Sequence, residues 1–416
     1  MPYSLQRNGN MKVLRITTEI NRSSIGRTTE QLGKLVIAEG WESYIAWGRA
    51  DGESASQKIR VGNKISVWFH GILTRLFDLH GYGSYFATKR LVSQIRKIKP
   101  NIIHLHDIHG YYINLKVLFN YLKESGIPVV WSHHDCWAFT GHCAFYSTVN
   151  CNKWQTECHD CPLSKDYPGS LFVDNSRKNY RLKKELFTSL DKLYNVGVSE
   201  WISKELKKSF LKKYPILTIC NGIDTDVFRP RQEYEKEVRE KYGLGNGRIL
   251  IGVATAWGER KGLSDYYKLR ERLGDEYVIV LVGAPESIQQ SLPKGMIGIQ
   301  RTDSIDELCK LYSASSIVLN LASAESFGKT TPEGLACGVP SIVYNCTASP
   351  DLVDEGTGIV VEKSDIPALV DAVNTIMSWD KNDTIQKCRE RACELYSIKK
   401  NWPMYIELYK QILNIK

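Results

Sequence analysis

Short apolar runs rich in Val and Ile recur along this chain, and amphipathic stretches of helical period separate them. MKVLRITT, ESYIAWG, IIHLH and PVVWSHH predict strands of a first half, with TTEQLGKLVIAEG as its first crossover helix. RILIGVAT, YVIVLVG, SIVLN and PSIVYN predict strands of a second half. Such β–α alternation gives parallel sheets with helices on both faces. At 416 residues the chain exceeds the length at which a single core stops growing, so two domains are expected. The turn-rich segment PILTICNGIDTDVFRP puts their boundary near residue 215, and NWPMYIELYKQIL predicts a closing helix. No G-x-G-x-x-G follows a strand, which argues against a single dinucleotide-binding domain.

Apolar residues at 43% and aromatics at 10% supply sizeable cores and exclude a disordered chain. No run has the length of a membrane-spanning helix, and no basic region followed by an apolar one opens the chain. Residues 1–10 read as a loose polar leader, and the expected compartment is the cytoplasm. The net charge of +9 gathers in KRLVSQIRKIK (89–99), RKNYRLKKE (177–185) and KELKKSFLKK (204–213). These runs are either solvated helix faces or a basic face for an anionic membrane or a diphosphate-linked acceptor. In the third, Leu206, Phe210 and Leu211 form an apolar stripe among lysines, as on an interfacial helix or an ordinary amphipathic one. The runs carry no interleaved aromatic platform, so nucleic acid is not an expected partner.

The segment ESFGKTTPE (325–333) concentrates the chemistry. An apolar strand, SSIVLNLA, precedes it and PEGLACG starts a helix, with Pro332 suited to the first turn. A strand–loop–helix unit of this kind offers backbone N–H groups, Lys329 and a helix N-terminus to an anion. Glu325 then lies at a strand's carboxyl end and Glu333 a turn into the helix. Each carboxylate can accept from sugar or ribose hydroxyls; the bland alternative is a solvated acidic loop and a helix-capping Glu.

The E-x(7)-E spacing with its FG and PEG, the following ACGVPSIV, CNGIDTDVF (220–228), ERKG (259–262) and PDLVDEGTGIVVE (350–362) resemble the donor side of retaining family 4 glycosyltransferases. IIHLHDIHGYYIN (102–114) and VVWSHHDCWAFTGHCAF (129–145) resemble a colanic-acid-type subgroup associated with exopolysaccharide and lipopolysaccharide assembly. The resemblance runs from Met11 to about Tyr409. It implies an α/β fold of GT-B architecture, two Rossmann-like parallel-sheet domains with a cleft between them. Its domains are 1–215 on the acceptor side, 216–395 for the nucleotide sugar, and 396–416 as a helix folding back on the first.

The implied reaction moves a sugar from a UDP- or GDP-sugar to a lipid-linked oligosaccharide or glycan, with retention and without a catalytic metal. Peripheral contact with the inner face of the cell membrane would accompany it. The leaving diphosphate needs cations and backbone N–H groups. By resemblance these come from Arg260, Lys261, Gly262, Phe327, Gly328 and Lys329, with a weaker match at Gly26 and Arg27. Glu333 holds the ribose, Glu325 lies by the transferred sugar, and His134 with Asp135 faces it from the first domain. The chain departs from the family at Thr255, where many members have Arg, and in NRSSIGRTTEQL, which lacks the usual Gly-Gly. A nucleotide-sugar epimerase or hydrolase of the same architecture, and a non-catalytic sugar-binding scaffold, are the alternatives.

His104, His106 and His109 read as structural or cleft-lining, because strand alternation is expected to send neighbours to opposite faces. Five of the eleven cysteines fall between 136 and 161. Cys143, Cys151, Cys158 and Cys161 could hold a structural zinc, with His142, His159 or Cys136 able to replace one ligand. The other reading is a set of small buried thiols packed against Trp137 and Trp154.

Overall fold

The computed structural model describes residues 11–415; the leader read into residues 1–10 lies outside them. The described residues up to Ile219, with those from Trp402 onward, form one compact unit, and Cys220–Asn401 forms another. In the first, β1 (Lys12–Glu19), β2 (Glu42–Ala50), β3 (Gln57–Arg60), β4 (Ile102–Leu105), β5 (Val129–His133), β6 (Leu193–Gly197) and β7 (Ile216–Thr218) make one sheet. Its order is β3-β2-β1-β4-β5-β6-β7 and every pairing is parallel. The second unit has β8 (Arg248–Val253), β9 (Tyr277–Val282), β10 (Met296–Ile299), β11 (Ile317–Asn320), β12 (Ser341–Tyr344) and β13 (Gly358–Val361). They run parallel in the order β10-β9-β8-β11-β12-β13. Both are Rossmann-like α/β units.

The continuous burial of β4, β5, β9, β11 and β12 fits strands covered on both faces, and explains their mostly apolar sequences, in which His104, Ser132, His133, Asn320 and Ser341 are the polar exceptions. In each sheet the order reverses direction once, between β1 and β4 and between β8 and β11. At such a reversal the connections after the two adjacent strands leave in opposite directions, opening a crevice at the carboxyl edge. The first crossover helix, α1 (Ser24–Ala38), starts four residues earlier than TTEQLG implies, because Ser23 caps it by accepting from Gly26 N at 3.0 Å. The closing helix, Pro403–Leu413, belongs to the first unit: Tyr409 and Tyr405 hydrogen-bond His104 and Ser132, and Trp402 Nε1 donates to Gln31 Oε1.

Two of the basic runs are not charged surfaces throughout. Leu206 and Leu211 of KELKKSFLKK are fully buried and Phe210 packs edge-on to Tyr180, so that stripe is core and no interfacial face. Lys183 of RKNYRLKKE is buried, donating to Trp137 O at 2.7 Å and Thr140 O at 3.1 Å, and burial pushes its ammonium down to about 7.

Candidate active site

In the second unit the segment after β8 and the loop after β11 meet at the reversal point. Lys261 Nζ pairs with Glu325 Oε1, both partly buried. Arg260 Nη1 donates to Ala324 O at 3.1 Å, and Ser323 N donates to Arg260 O at 2.9 Å. Gly262 makes this approach feasible. Its φ is +74°, and a Cβ there would lie 2.2 Å from Leu321 O. The Glu325 backbone is held from the other side, its N–H donating to Thr347 Oγ1 at 2.8 Å. Thus Arg260 and Lys261 share one edge with Glu325, which lies 64 residues beyond Lys261 in sequence.

The helix Thr330–Ala336 follows, with Lys329 at its cap and Glu333 in its first turn. Glu333 Oε2 accepts from the buried Tyr312 hydroxyl at 3.1 Å, a contact that the spacing could not reveal. Gly328 has φ +81° beside Asn320 Nδ2, the chain reversal the loop requires. Phe327 points into the core, 2% exposed and edge-on to Tyr396, so only its backbone faces the loop. Thr255 is exposed and supplies no cation.

In the first unit His134 and Asp135 follow β5, beside the residues after β4. His134 Nε2 lies 3.2 Å from His106 Nδ1, and their rings stack. His106 in turn lies against His104, ring centres 4.0 Å apart, and His104 bridges Tyr409 and Ser132. The expectation that these histidines diverge is corrected here: residues two apart share a strand face, and burial keeps His104 and His106 neutral by lowering both pKa values.

His109 goes elsewhere. Its Nε2 lies 2.5 Å from Asp107 Oδ1 and 2.9 Å from Asp135 Oδ2, and its Nδ1 is 3.0 Å from the Tyr167 hydroxyl. Burial opposes the charged ring, but Asp107 and Asp135 outweigh it and hold its pKa well above the usual imidazole value. Asp135 also accepts from Trp137 N at 2.9 Å, and its pKa is lowered despite burial, mainly by His109. A fixed imidazolium therefore keeps Asp135 ionised and oriented next to His134. Gly26 and Arg27 sit in the first turn of α1; the Gly26 amide is taken by Ser23, and the Arg27 side chain is exposed.

The cysteines line one pocket: Cys143, Cys151, Cys158 and Cys161, with His142 and His159. Gly141 N donates to Cys158 Sγ at 3.1 Å. Cys161 is pushed down to about 7 by its hydrogen bond with Cys143, whose own pKa rises. Among the described residues the group close enough to share an ion is Asp107, His109 and Asp135, not the thiols.

Two Rossmann-like units, each with a parallel sheet whose strand order reverses once, make up the GT-B architecture. The sequence matches the family model described as Glycosyltransferase Family 4 over residues 25–227 and that described as Glycosyl transferases group 1 over 248–378. A putative colanic acid biosynthesis glycosyl transferase, WcaC of Escherichia coli K12, is 23% identical over 97% of this chain and 100% of its own length. Anabaena HepE, solved with UDP-glucose, superposes with a TM-score of 0.66 at 13% identity, over 97% of this chain and 100% of that one. WaaG, a glycosyltransferase involved in lipopolysaccharide biosynthesis, gives 0.65 at 13% identity, over 96% and 99%. The chain belongs to the family 4-type glycosyltransferases, and its fold is GT-B.

Proposed function

We propose that this glycosyltransferase takes a UDP- or GDP-sugar as donor and transfers the sugar, with retention, to a lipid-linked oligosaccharide of a bacterial surface polysaccharide. The observation that carries the reading is the meeting of Arg260, Lys261 and Glu325 at the β8/β11 reversal, with Glu333 in the following helix. Arg260 and Lys261 neutralise charge growing on the leaving diphosphate, helped by backbone N–H groups near Gly328 and Lys329. Lys261 is prepositioned by Glu325, which orients a hydroxyl of the transferred sugar. Glu333, steered by Tyr312, accepts from the ribose hydroxyls. In the first unit His134 hydrogen-bonds a sugar hydroxyl, and the ionised Asp135 orients the acceptor. The leaving phosphate is the acceptor's proton sink, which agrees with the lack of a sequence candidate for a nucleophilic carboxylate.

The proposal has two further parts. A zinc held by Cys143, Cys151, Cys158 and Cys161 would be structural, its four ligands leaving no open position. Their shared pocket and the Cys143 contact that favours a Cys161 thiolate support it; ion binding would draw the thiols closer together and take the proton from Cys158, whose thiol burial pushes up to about 12. The enzyme acts in the cytoplasm at the inner face of the membrane, where lipid-linked acceptors are presented; among the described residues no helix is long and apolar enough to cross one.

Incubation with a panel of UDP-, GDP- and ADP-sugars, with and without a lipid-linked acceptor, tests the reading. Nucleotide release that requires acceptor is expected. Equal release without acceptor would make the chain a hydrolase, and no release from any donor would overturn the donor assignment.

A further inference from the structure

The helix that follows β3 is folded with its polarity reversed. In α2 (Lys64–Phe77, KISVWFHGILTRLF) the fully buried side chains are His70 and Thr74, while Ile65, Trp68, Phe69 and Phe77 are exposed. Its inward stripe is Ser66, His70 and Thr74, spaced four apart. His70 accepts from Gly81 N and lies 3.0 Å from Ser84 Oγ, Thr74 donates to His70 O, and Ser66 reaches Ser84. Burial lowers the His70 pKa to about 4, so this internal contact is neutral. A helix ordinarily buries its apolar stripe; here satisfied polar bonds hold the inner face and leave Trp68 67% exposed.

Two neighbours extend the patch. Ser84, bonded to Ser66 and His70 of α2, caps α3 (Tyr85–Ile98), whose first turn exposes Phe86 at 75%. The loop 171–173 is strapped to the other end of α2: Leu171 N donates to Arg75 O at 2.8 Å and Asn175 Nδ2 to Phe77 O at 2.7 Å. That loop exposes Phe172 at 78%. Exposed aromatic tips on a helix and on the segments hydrogen-bonded to it mark an interaction site.

Charge says what it fits. α2 carries Lys64 and Arg75, and the first turns of α3 carry Lys89 and Arg90, all exposed. Neither helix contains Asp or Glu. The nearby Asp78 is fully buried against His142, and Asp174 is taken by the N–H groups of Cys161 and Ser176. Lys89 caps the Tyr85 ring at 4.6 Å, whereas Arg96, farther along, is turned away to Glu124. Exposed Trp and Phe on two helices that carry Lys64, Arg75, Lys89 and Arg90 and no carboxylate complement an anionic lipid surface, where rings enter the interfacial zone and basic groups meet headgroups. A self-association face would bring these four like charges together.

We infer that the outer face of α2, with Phe86 and Phe172, docks this protein on an anionic bilayer. This deepens the membrane-face reading above, and replaces the 204–213 run as the contact. The docking surface is joined to the site: the loop that ends in Phe172 also carries Tyr167, whose hydroxyl lies 3.0 Å from His109 Nδ1. A bilayer at α2 would thus hold lipid-linked acceptor next to His134 and Asp135.

The test is co-sedimentation of the full chain with vesicles of phosphatidylcholine alone or mixed with phosphatidylglycerol. Wild type is expected to bind the anionic vesicles at least about tenfold more than the neutral ones. Trp68→Ser/Phe86→Ser and Phe172→Ser should each cut that binding several-fold, as should Lys64→Gln/Arg75→Gln, with melting temperature and stabilisation by the donor unchanged. Binding that survives all three variants overturns the inference. So does a dimer, seen by sedimentation velocity and abolished by the same substitutions, in a protein that ignores vesicles. Lack of stabilisation by any sugar nucleotide would count against the enzymatic reading and leave the vesicle result standing.

Discussion

Replacing Glu333 by Ala separates donor binding from chemistry. Its carboxylate is steered by the buried Tyr312 hydroxyl at 3.1 Å, and in the proposed donor complex it accepts from the ribose hydroxyls. A charge-assisted hydrogen bond contributes about 1.5–3 kcal/mol net. Taking about 2 kcal/mol for a half-buried group, donor Kd rises roughly 30-fold. Because the ribose contact is the same in ground and transition states, kcat for saturated enzyme stays within about twofold. Tyr312→Phe keeps the carboxylate and loses only its orientation, so Kd rises by a few-fold. The two effects should not add in the double variant, since Tyr312 acts through Glu333. Titration calorimetry with the preferred sugar nucleotide reads Kd. Thermal melting separately reads the stability lost when Glu333→Ala strands the Tyr312 hydroxyl, about 1–3 kcal/mol. A folded Glu333→Ala protein with donor Kd within twofold of wild type would refute the assignment.

Gly262→Ala should lower stability by at least about 1 kcal/mol and depress donor affinity, because a Cβ would sit 2.2 Å from Leu321 O and the backbone is left-handed there; chemical denaturation and titration check both. For His109→Gln the stability deficit should be full at and below the ordinary imidazole pKa and should shrink as pH rises through the raised folded value, since a raised pKa stabilises only while the proton is bound. Denaturation midpoints across pH measure it; a deficit that grows with pH would contradict the buried imidazolium. Metal analysis of protein purified without chelator should find close to one equivalent of zinc, lost in Cys158→Ser; under about a tenth of an equivalent in wild type would dispose of the site.

What the sequence showed depended on how far apart the interacting residues lie. Val- and Ile-rich runs announced β1, β5, β9 and β11, because a strand covered on both faces is mostly apolar, even where β1 buries Arg15 and Thr17 and β5 buries Ser132 and His133. β3 (QKIR), β7 (ILT) and β10 (MIGI) are sheet-edge strands three or four residues long, too short for a pattern. The E-x(7)-E segment is local, so its placement on a loop and helix could be read directly. The link from His109 to Asp135 and Tyr167 joins three connections after different elements, and no spacing encodes it. The outward face of α2 was equally hidden. Its pattern is amphipathic whichever side is buried, and only the polar pocket made by Ser84, Gly81 and Gly83 decides that His70 goes in.

The central claim is that sugar is transferred at the edge where Lys261 and Glu325 meet. Radiolabelled sugar appearing in lipid-linked product, followed side by side for wild type and Glu325→Gln with saturating donor, tests it most directly. The account predicts label in product with wild type, and a rate at least about a hundredfold lower for Glu325→Gln with donor Kd nearly unchanged. Equal rates for the two proteins would contradict it.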